Sequence, residues 1–580
     1  MNHMKRNNWI KIWGLSCLLV AGTTSCEDFL TRDHPTGTTD EKFWKTMNEC
    51  SNALGQCKSW PKAGYGGGDL SFMCMEGMTD NMYFQSNFEQ RIVMMGNGSM
   101  VAPTSNNAPS SWESIFWTWQ YYYQKIRRCS RFLEHVDAAY FSDEDERIRM
   151  KIEARVWRAW YHLNLLRWYG RNDGIPIVKV SVTPNENMNR VIRLKQPKIV
   201  KVSVTPNENM LTRNTVDECL DFINQEFDEV LQIKNDEAFP FLWDEGRRDR
   251  ISKSVVLAMK MDINFQFKRY DVAMAAAKQL IDSGVFELYY DTENNATDPS
   301  ANYRNLFTYV GEQNKERIFF TKDGANDTWF RFMTASLSGQ GCAAPLKTLI
   351  DTYETIDGKT IQSLPADERQ KFEKDPLYKE RDPRFKATIM SPGDNSSIAN
   401  YTYSPFDPGS GDYFGQVGAS PSGYLMKKYI DENDRSTGYG SLDFVIYRYA
   451  EVLLDYVECL VETGDWQNPD VEKYINMIRQ RAGLPNMDKS VYNSQEKVRE
   501  LYRRERRIEL CFEGKRYDDI RRWGIGQETM TGPIQGAWNP SENAFILIET
   551  RNCIFPKYDS WPLPQQEETA NPNIDQPTGW

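Results

Sequence analysis

The residues that most often perform catalysis are few in this sequence and follow no recognised catalytic spacing. Histidine serves as a general base or a metal ligand, and the four histidines are His3, His34, His135 and His162. Only His135 and His162 fall inside the predicted folded body, both in predicted helices, and no nucleophile motif accompanies them. The sequence contains no G-x-S-x-G, H-E-x-x-H or Walker A motif. We therefore predict a protein that is not an enzyme and that holds no metal ion or cofactor.

Two weaker patterns also favour structure over chemistry. Residues 64–68 are rich in glycine, but no predicted strand precedes them and no G-K-[ST] follows, so a turn is favoured over a phosphate-binding loop. Glu153 and Glu505 carry a side chain suited to acid–base catalysis, yet the chain has 81 acidic residues from which any pair can be chosen. On a helix, a charged residue more often lies on a solvated or ion-paired face.

The composition excludes two classes of protein. The chain has 580 residues, of which 40% are hydrophobic and 26% charged, and its net charge is −11. The aromatic content of 13% is too high for a disordered chain, and the negative charge argues against binding to a nucleic acid backbone. The 17 Trp, 29 Tyr and 28 Phe therefore belong to a large core or to surfaces that recognise a ligand.

Residues 1–25 have the pattern of an export signal. Lys5 and Arg6 precede an apolar stretch over 9–21, which is shorter than the roughly 20 residues of a membrane-spanning helix. The stretch ends in small residues directly before Cys26, as in a bacterial lipobox, although Thr23 stands where leucine is usual. We predict a lipoprotein signal peptide and a lipid anchor on Cys26, with an ordinary signal peptide as the alternative.

The other cysteines indicate neither a zinc site nor a disulfide framework. Apart from Cys17 and Cys26 there are nine, scattered along the chain with no C-x-x-C pair. Cys50 and Cys57 are seven residues apart on one predicted helix, about 10 Å along its axis and too far apart for a disulfide. We expect most of the nine to be small buried hydrophobic residues.

Helical periodicity dominates the chain after the signal. It predicts helices over 40–58, 112–136 and 495–513. Another follows Ser142, whose spacing to Asp145 fits a capping box, and ends at Tyr169, and one after Thr215 has a capping box to Glu218. Residues 251–267 and 271–283 form a helix pair of tetratricopeptide length, and 447–464 with 471–483 form another. Long polar stretches separate them at 59–110, 288–345, 391–425 and 524–580. The fold class predicted is mostly α, built from tetratricopeptide-like helix pairs, with long irregular loops and little β structure.

One segment of 12 residues occurs twice without change. Residues 177–188 and 199–210 both read IVKVSVTPNENM, at an offset of 22 that recurs nowhere else. A tandem duplication or an assembly error accounts for this identity better than a function does. Only one copy fits the path that leads to the Thr215 helix, so we expect the other copy to be looped out.

Several short segments, spread from Cys26 to Trp580, carry a family resemblance. They are 26–30 (CEDFL), 381–385 (RDPRF), 448–454 (RYAEVLL), 475–483 (INMIRQRAG), 504–510 (RERRIEL) with 512–514 (FEG), 561–564 (WPLP), 571–573 (NPN) and 579–580 (GW). In this order they resemble the SusD/RagB-like outer-membrane lipoproteins of the Bacteroidetes. The duplicated 177–210 region departs from the pattern, because the family has one such segment.

This resemblance implies a fold, a partner and a function. Residues 26–580 would form a single SusD-like domain on four tetratricopeptide-like helix pairs, anchored through Cys26 at the outer face of the cell outer membrane. It would act as a lid on a SusC-like TonB-dependent outer-membrane transporter, capturing an oligosaccharide for uptake without hydrolysing it. The family motifs themselves, such as 504–513, alternate charged and apolar residues at helical spacing and are expected to be structural.

The ligand is expected on loops that combine aromatic rings with amides and carboxylates, because sugars present C–H faces ringed by hydroxyls. Two segments fit, in parts of the chain that resemble ligand-contacting stretches of the family. The candidate residues are Trp60, Asp80, Asn81, Tyr83, Phe84, Gln85 and Asn87 in the first, and Asp327, Trp329 and Arg331 in the second. The alternative is that these rings pack the loops onto the scaffold.

Other functions stay open at this point. RagB-like members of the family suggest peptides as an alternative cargo. A glycan-degrading enzyme would need an essential carboxylate pair, for which the sequence gives no specific candidate. A bare tetratricopeptide adaptor would not need an export signal or large aromatic loops.

Overall fold

The computed structural model describes residues 43–58, 73–85, 90–102, 114–181, 211–292, 298–322 and 327–580. Helices make up nearly half of this part of the chain, and strands cover far fewer residues. Cys26 and the predicted signal peptide, Trp60, Asn87 and the second copy of the repeated segment lie outside it.

Four long helices and the two predicted helix pairs form the scaffold, and shorter helices lie in the loops. The α-helices are α1 (Met47–Cys57), α2 (Gln90–Asn97), α3 (Ser114–His135), α4 (Glu144–Tyr169), α5 (Val216–Leu231), α6 (Lys253–Gln266), α7 (Tyr270–Asp282), α8 (Ser300–Arg304), α9 (Thr328–Phe332), α10 (Lys347–Ile350), α11 (Ala366–Lys374), α12 (Pro383–Thr388), α13 (Tyr449–Glu462), α14 (Pro469–Arg481), α15 (Gln495–Glu509), α16 (Arg516–Trp523), α17 (Gly526–Thr529) and α18 (Gln565–Ala570).

Within the described residues, the strands form four antiparallel pairs. They are β1 (Met82–Phe84) with β3 (Ala343–Pro345), β2 (Arg317–Thr321) with β6 (Phe444–Arg448), β4 (Ile389–Met390) with β5 (Leu425–Met426), and β7 (Thr531–Asn539) with β8 (Ala544–Asn552). The first three pairs join segments that are distant in sequence.

Local capping explains where several helices begin. The Thr215 side chain accepts from the Glu218 N–H and the Glu218 carboxylate accepts from the Thr215 N–H, which confirms the predicted capping box. The box predicted at Ser142 is wrong, because Asp143 caps α4 by accepting from the Asp145 N–H.

The two predicted helix pairs are confirmed. Helices α6 and α7 pack against each other, and α7 packs against α13, which is followed by α14. Ala273, Ala276 and Ala277 are buried on α7, where their small side chains permit the close approach. The turn before α7 contains Lys268 with φ of 60°, and the Arg269 N–H donates to the Asn264 carbonyl at 2.8 Å.

Helix α15 carries buried carboxylates that accept from arginines of three other segments. Arg384 donates to Glu505 at 2.9 Å and to Glu509 at 3.1 Å, and all three are buried. Arg448 donates to Glu509 at 2.7 Å, and Arg481 also pairs with it. Removing one partner from such a network leaves an uncompensated buried charge. The family motifs therefore hold the scaffold together, as expected.

Much of the aromatic content lies in one core. A connected hydrophobic cluster includes residues from Trp44 to Ile574. Trp157, Trp160 and Trp168 of α4 are fully buried, and Trp561 near the C-terminus stacks on Trp168 with ring centroids 4.9 Å apart. The core thus joins the central helices to the last segment of the chain.

The nine cysteines of the described chain are all buried, as predicted for small hydrophobic residues. Across the same described ranges, no helix combines the length and apolar character needed to cross a bilayer.

Candidate functional site

The first candidate segment is anchored to the scaffold through Asp80 and Asn81. The Asp80 carboxylate accepts two hydrogen bonds from Arg516, at 2.8 and 2.9 Å, and pairs with Arg507 at 3.0 Å. Burial raises the pKa of Asp80, but Arg507 and Arg516 outweigh it and hold that pKa well below its usual range. Asn81 is fully buried and accepts from Arg507 at 2.8 Å. These two residues position the segment and do not face solvent.

Beyond Asn81, strand β1 sorts the candidates by the alternation of its side chains. Met82 and Phe84 point inward and are at most 1% exposed, whereas Tyr83 is half-buried and Gln85 is exposed. Phe84 packs against Gly77, where an added Cβ would lie 2.6 Å from the Phe84 Cβ. Of this segment, Tyr83 and Gln85 have surface that a ligand can reach.

Arg551 of β8 holds the same segment from its other side. Its guanidinium is 1% exposed and donates to the carbonyl oxygens of Thr79, Gly77 (3.4 Å) and Met82 (3.2 Å). It also pairs with Glu549 at 3.2 Å. One side chain from the C-terminal hairpin therefore fixes three backbone groups of the segment.

The second candidate segment forms a helical turn, α9, where the sequence predicts a loop. Consecutive side chains of a helix point in different directions, and here Trp329 and Phe332 point inward while Phe330 and Arg331 stay partly exposed. Trp329 is 1% exposed, and its Nε1 donates to the Leu337 carbonyl at 2.9 Å. The Trp329 ring packs in a small cluster of its own, so in this structure its face is covered by protein.

Phe330 provides the exposed ring, together with a residue that the sequence analysis missed. The rings of Phe330 and Tyr439 stack with centroids 6.2 Å apart and planes 20° from parallel. Tyr439 is 56% exposed. Gly438 has φ of +75° and its carbonyl accepts the Phe330 N–H at 3.1 Å, which brings the two segments together. The signal for Tyr439 was available, since it is a lone aromatic residue in the polar run STGYGS.

Arg331 is a neutralised cation beside this stack. Its Nε donates to the Asp327 carboxylate at 2.9 Å and its Nη1 to the Gln340 side chain at 2.8 Å. The guanidinium also lies over the Phe330 ring at 5.4 Å. Asp327 is buried and fixes the orientation of Arg331.

The backbone links the two candidate segments. The Gln85 N–H donates to the Cys342 carbonyl and the Cys342 N–H donates to the Arg331 carbonyl, both at 2.8 Å. The Gln340 N–H donates to the Phe330 carbonyl at 2.9 Å. We call the accessible residues of this linked region the aromatic–amide face: Tyr83, Gln85, Phe330, Arg331, Gln340 and Tyr439. It combines aromatic rings, two amides and an ion-paired guanidinium, which suits an uncharged ligand with many hydroxyl groups.

The histidine at the centre of the scaffold has a structural role. His162 is buried, its Nδ1 lies 2.8 Å from the Arg158 carbonyl, and its Nε2 accepts the Val178 N–H at 3.1 Å. Burial lowers the pKa of His162 to about 3, so the ring is neutral. No group of three or more histidine, cysteine or acidic side chains suited to a metal ion occurs in the ranges that the structure covers.

The fold and the face define a class of protein: a helix-pair scaffold that presents an aromatic and polar surface on its loops. Residues 284–580, more than half of the chain, match the model of the SusD family. Residues 73–239 match a second model, described as starch-binding associating with outer membrane. The chain belongs to the SusD family.

Relatives cover almost the whole length of the chain. SusD-like protein P38 of Formosa agariphila is 22% identical over 603 aligned residues, spanning 99% of each chain. A SusD-like carbohydrate binding protein from Bacteroides fragilis is 26% identical, with a TM-score of 0.73 over 92% of this chain and 100% of that one. Surface glycan-binding protein A from Bacteroides thetaiotaomicron, solved in complex with laminarihexaose, is 17% identical with a TM-score of 0.60, over 92% of this chain and 99% of that one. At that identity the last likeness concerns the fold alone. The predicted fold class, mostly helical with helix pairs and little β structure, is confirmed.

Proposed function

We propose that the protein binds a neutral oligosaccharide on the aromatic–amide face and does not cleave it. The stacked pair of Phe330 and Tyr439 is the observation that carries the proposal, because it offers a rigid aromatic surface next to amides and an ion-paired arginine. Membership of the SusD family supports the ligand class, since the B. fragilis relative is a carbohydrate binding protein. Tyr83 and Gln85 extend the face, while Asp80, Asn81, Phe84, Asp327 and Trp329 support it from below.

The role in uptake belongs to the same proposal. We infer that Cys26 is lipidated, that the protein lies on the outer face of the outer membrane, and that it delivers its ligand to a SusC-like TonB-dependent transporter. The second family model, whose description places its members at the outer membrane, supports this location. Cys26→Ser should remove acyl labelling and release the chain from the membrane fraction. A TonB-dependent transporter should co-purify with the wild-type chain, and its absence would count against that partner.

Removal of the exposed rings tests the ligand face. Phe330→Ala and Tyr439→Ala should each weaken binding at least tenfold, about 1.4 kcal/mol, with little change in melting temperature, because both rings are partly exposed. Calorimetry on the purified ectodomain with a panel of neutral hexaoses, laminarihexaose and maltohexaose included, measures this.

Tyr140→Ala is the matched control, since Tyr140 is 73% exposed and lies outside the face. An equal loss in that variant, or binding of a peptide pool but of no hexaose, would contradict the proposal. The second result would favour the peptide cargo instead.

A further inference from the structure

A groove lies at the end of the α13–α14 helix pair and shares no lining residue with the aromatic–amide face. Its volume is about 400 Å³, within the range of small-molecule sites. Its walls are the α13–α14 turn, the first turn of α14, and Met487, Lys489, Tyr492 and Asn493. The residues that carry the argument are Trp466, Gln467, Glu472, Met487, Lys489 and Tyr492. We call it the helix-end groove.

Both aromatic walls of the groove are held in place. Tyr492 is half-buried, and its hydroxyl accepts from Arg504 at 2.6 Å, while Arg504 pairs with Glu354 at 2.7 Å. Trp466 follows a tight turn in which Gly464 has φ of +91° and the Asp465 N–H donates to the Leu460 carbonyl at 2.9 Å, and its side chain packs against the hydrophobic core. Rings fixed in this way lose little conformational entropy when a ligand stacks on them.

The groove carries no net charge. Its one carboxylate, Glu472, pairs with its one ammonium, Lys489, at 2.5 Å. An anion is not favoured at the start of α14, because Asp470 and Glu472 occupy the first turn and the Asn468 side chain already accepts the Asp470 N–H at 3.0 Å. A charged ligand therefore has no complementary group here.

The backbone offers little to an extended peptide. Pro469 has no N–H, the Asp470 N–H is bound by Asn468, and the Val471 N–H donates to the Asn468 carbonyl at 3.0 Å. Peptides that add to an edge need a row of free backbone groups. The exposed Gln467 amide and the partly exposed Trp466 and Tyr492 rings remain, with Met487 beside them. Rings, an amide and no net charge are the chemistry that recognises a sugar.

We propose that the helix-end groove is a second glycan site, which takes one or two rings of a neutral oligosaccharide independently of the aromatic–amide face. The site lies on the segments that connect α13 to α14 and α14 to α15, next to the helix-pair scaffold. The inference shares its ligand class with the proposed function but none of its residues.

Two sets of variants separate the sites. In wild type, a neutral hexaose from the panel should bind with two sites per chain. The Phe330→Ala/Tyr439→Ala double variant should keep one. Adding Gln467→Trp, which fills the groove from an exposed position and spares the core, should remove the remaining site or weaken it at least tenfold. Trp466→Ala should act in the same direction.

Val491→Trp is the control, since Val491 is 49% exposed and does not line the groove. Titration calorimetry and tryptophan fluorescence on each purified ectodomain provide the readout. The proposal is overturned if the double variant binds no hexaose of the panel. It is also overturned if Gln467→Trp and Val491→Trp change hexaose binding equally, or if peptides change the tryptophan fluorescence and no hexaose does. If the wild-type protein binds one hexaose and the double variant binds none, the aromatic–amide face is the site. The proposed function then stands, and only the groove is rejected.

Discussion

At the scale of single residues, Glu76 is a buried carboxylic acid beneath the ligand face, where burial disfavours its charged form. It is fully buried and accepts hydrogen bonds from the Asn81 side chain at 2.9 Å and the Gly514 N–H at 3.0 Å. Burial raises the pKa of Glu76 to about 7, although these bonds and the charges of Arg516 and Lys428 act in the opposite direction.

This pKa makes stability depend on pH through Glu76. The folded state keeps a proton that the unfolded chain releases near pH 4.5, so this group stabilises the fold below pH 4.5 and loses that contribution as pH rises through 7. Glu76→Gln does not titrate. Its stability relative to wild type should therefore rise by about 2–3 kcal/mol between pH 5 and pH 8.

Urea unfolding at both pH values measures this difference. Glu287→Gln is the control, because Glu287 is exposed and pairs only at the surface with Lys315, and its offset from wild type should stay constant. A constant offset for Glu76→Gln as well would mean that Glu76 is ionised in the folded protein throughout.

At the scale of elements, the ligand face depends on the C-terminal hairpin β7–β8. Arg551→Met removes the donors to the carbonyls of Thr79, Gly77 and Met82 and leaves buried acceptors without partners, which costs about 2–4 kcal/mol. Because β1 then loses its fixed position, we expect oligosaccharide affinity to fall at least tenfold even where the protein is fully folded.

Arg248→Met is the matched control for this element. Arg248 is also buried and donates to three carbonyls, those of Gln313, Asn314 and Arg317, none of which belongs to the face. Its replacement should lower the urea midpoint by a similar amount and leave the affinity unchanged. If both variants lose affinity equally, Arg551 has only a general role in stability.

The helices were predictable from the sequence to a greater extent than the face. Periodicity and the Thr215–Glu218 box predict helices and pairs, because those signals are local. The face depends on non-local contacts, such as the Phe330 N–H on the Gly438 carbonyl. The helical turn of α9 determines that Phe330 is exposed and Trp329 is buried, and the composition of the segment does not predict that turn. The ligand-binding role of the predicted residues stays a prediction.

At the scale of the whole molecule, residues near the C-terminus contact the helices and loops of the N-terminal half. Gln120 donates to Glu567 at 2.7 Å, the Trp561 N–H donates to the Trp168 carbonyl at 2.6 Å, and Arg551 donates to the carbonyls of Gly77 and Thr79 in the segment before β1. The only long stretch that interrupts the described scaffold between α4 and α5 is 182–210, which contains the second copy of the repeated segment.

The described part of the first copy is docked at this interruption. The Ile177 N–H donates to the Asn214 side chain and the Asn214 N–H donates to the Ile175 carbonyl, both at 3.0 Å. The Val178 N–H donates to His162, and Lys179 accepts from Arg158 at 2.9 Å. The two flanks of the interruption therefore lie side by side at Ile177 and Asn214. Beyond that point the Ser181 N–H donates to Glu134 at 2.6 Å and the Leu211 carbonyl accepts from Asn571 at 2.9 Å.

Deletion of residues 189–210 should leave the fold and the binding of oligosaccharides intact. Because the two copies are identical, deletion of 177–198 gives the same sequence, so the docked segment is kept whichever copy fills it. The seven remaining residues, 182–188, span up to about 25 Å when extended. They need to join Ser181 and Leu211, which are four and three residues away from the contact between Ile177 and Asn214. Shortening the connection from 29 to seven residues should raise the free energy of unfolding by about 1 kcal/mol.

Urea unfolding measures the free energy of unfolding, and calorimetry with the hexaose panel measures the affinity. A deleted chain that fails to fold would mean that the second copy holds a native position of its own.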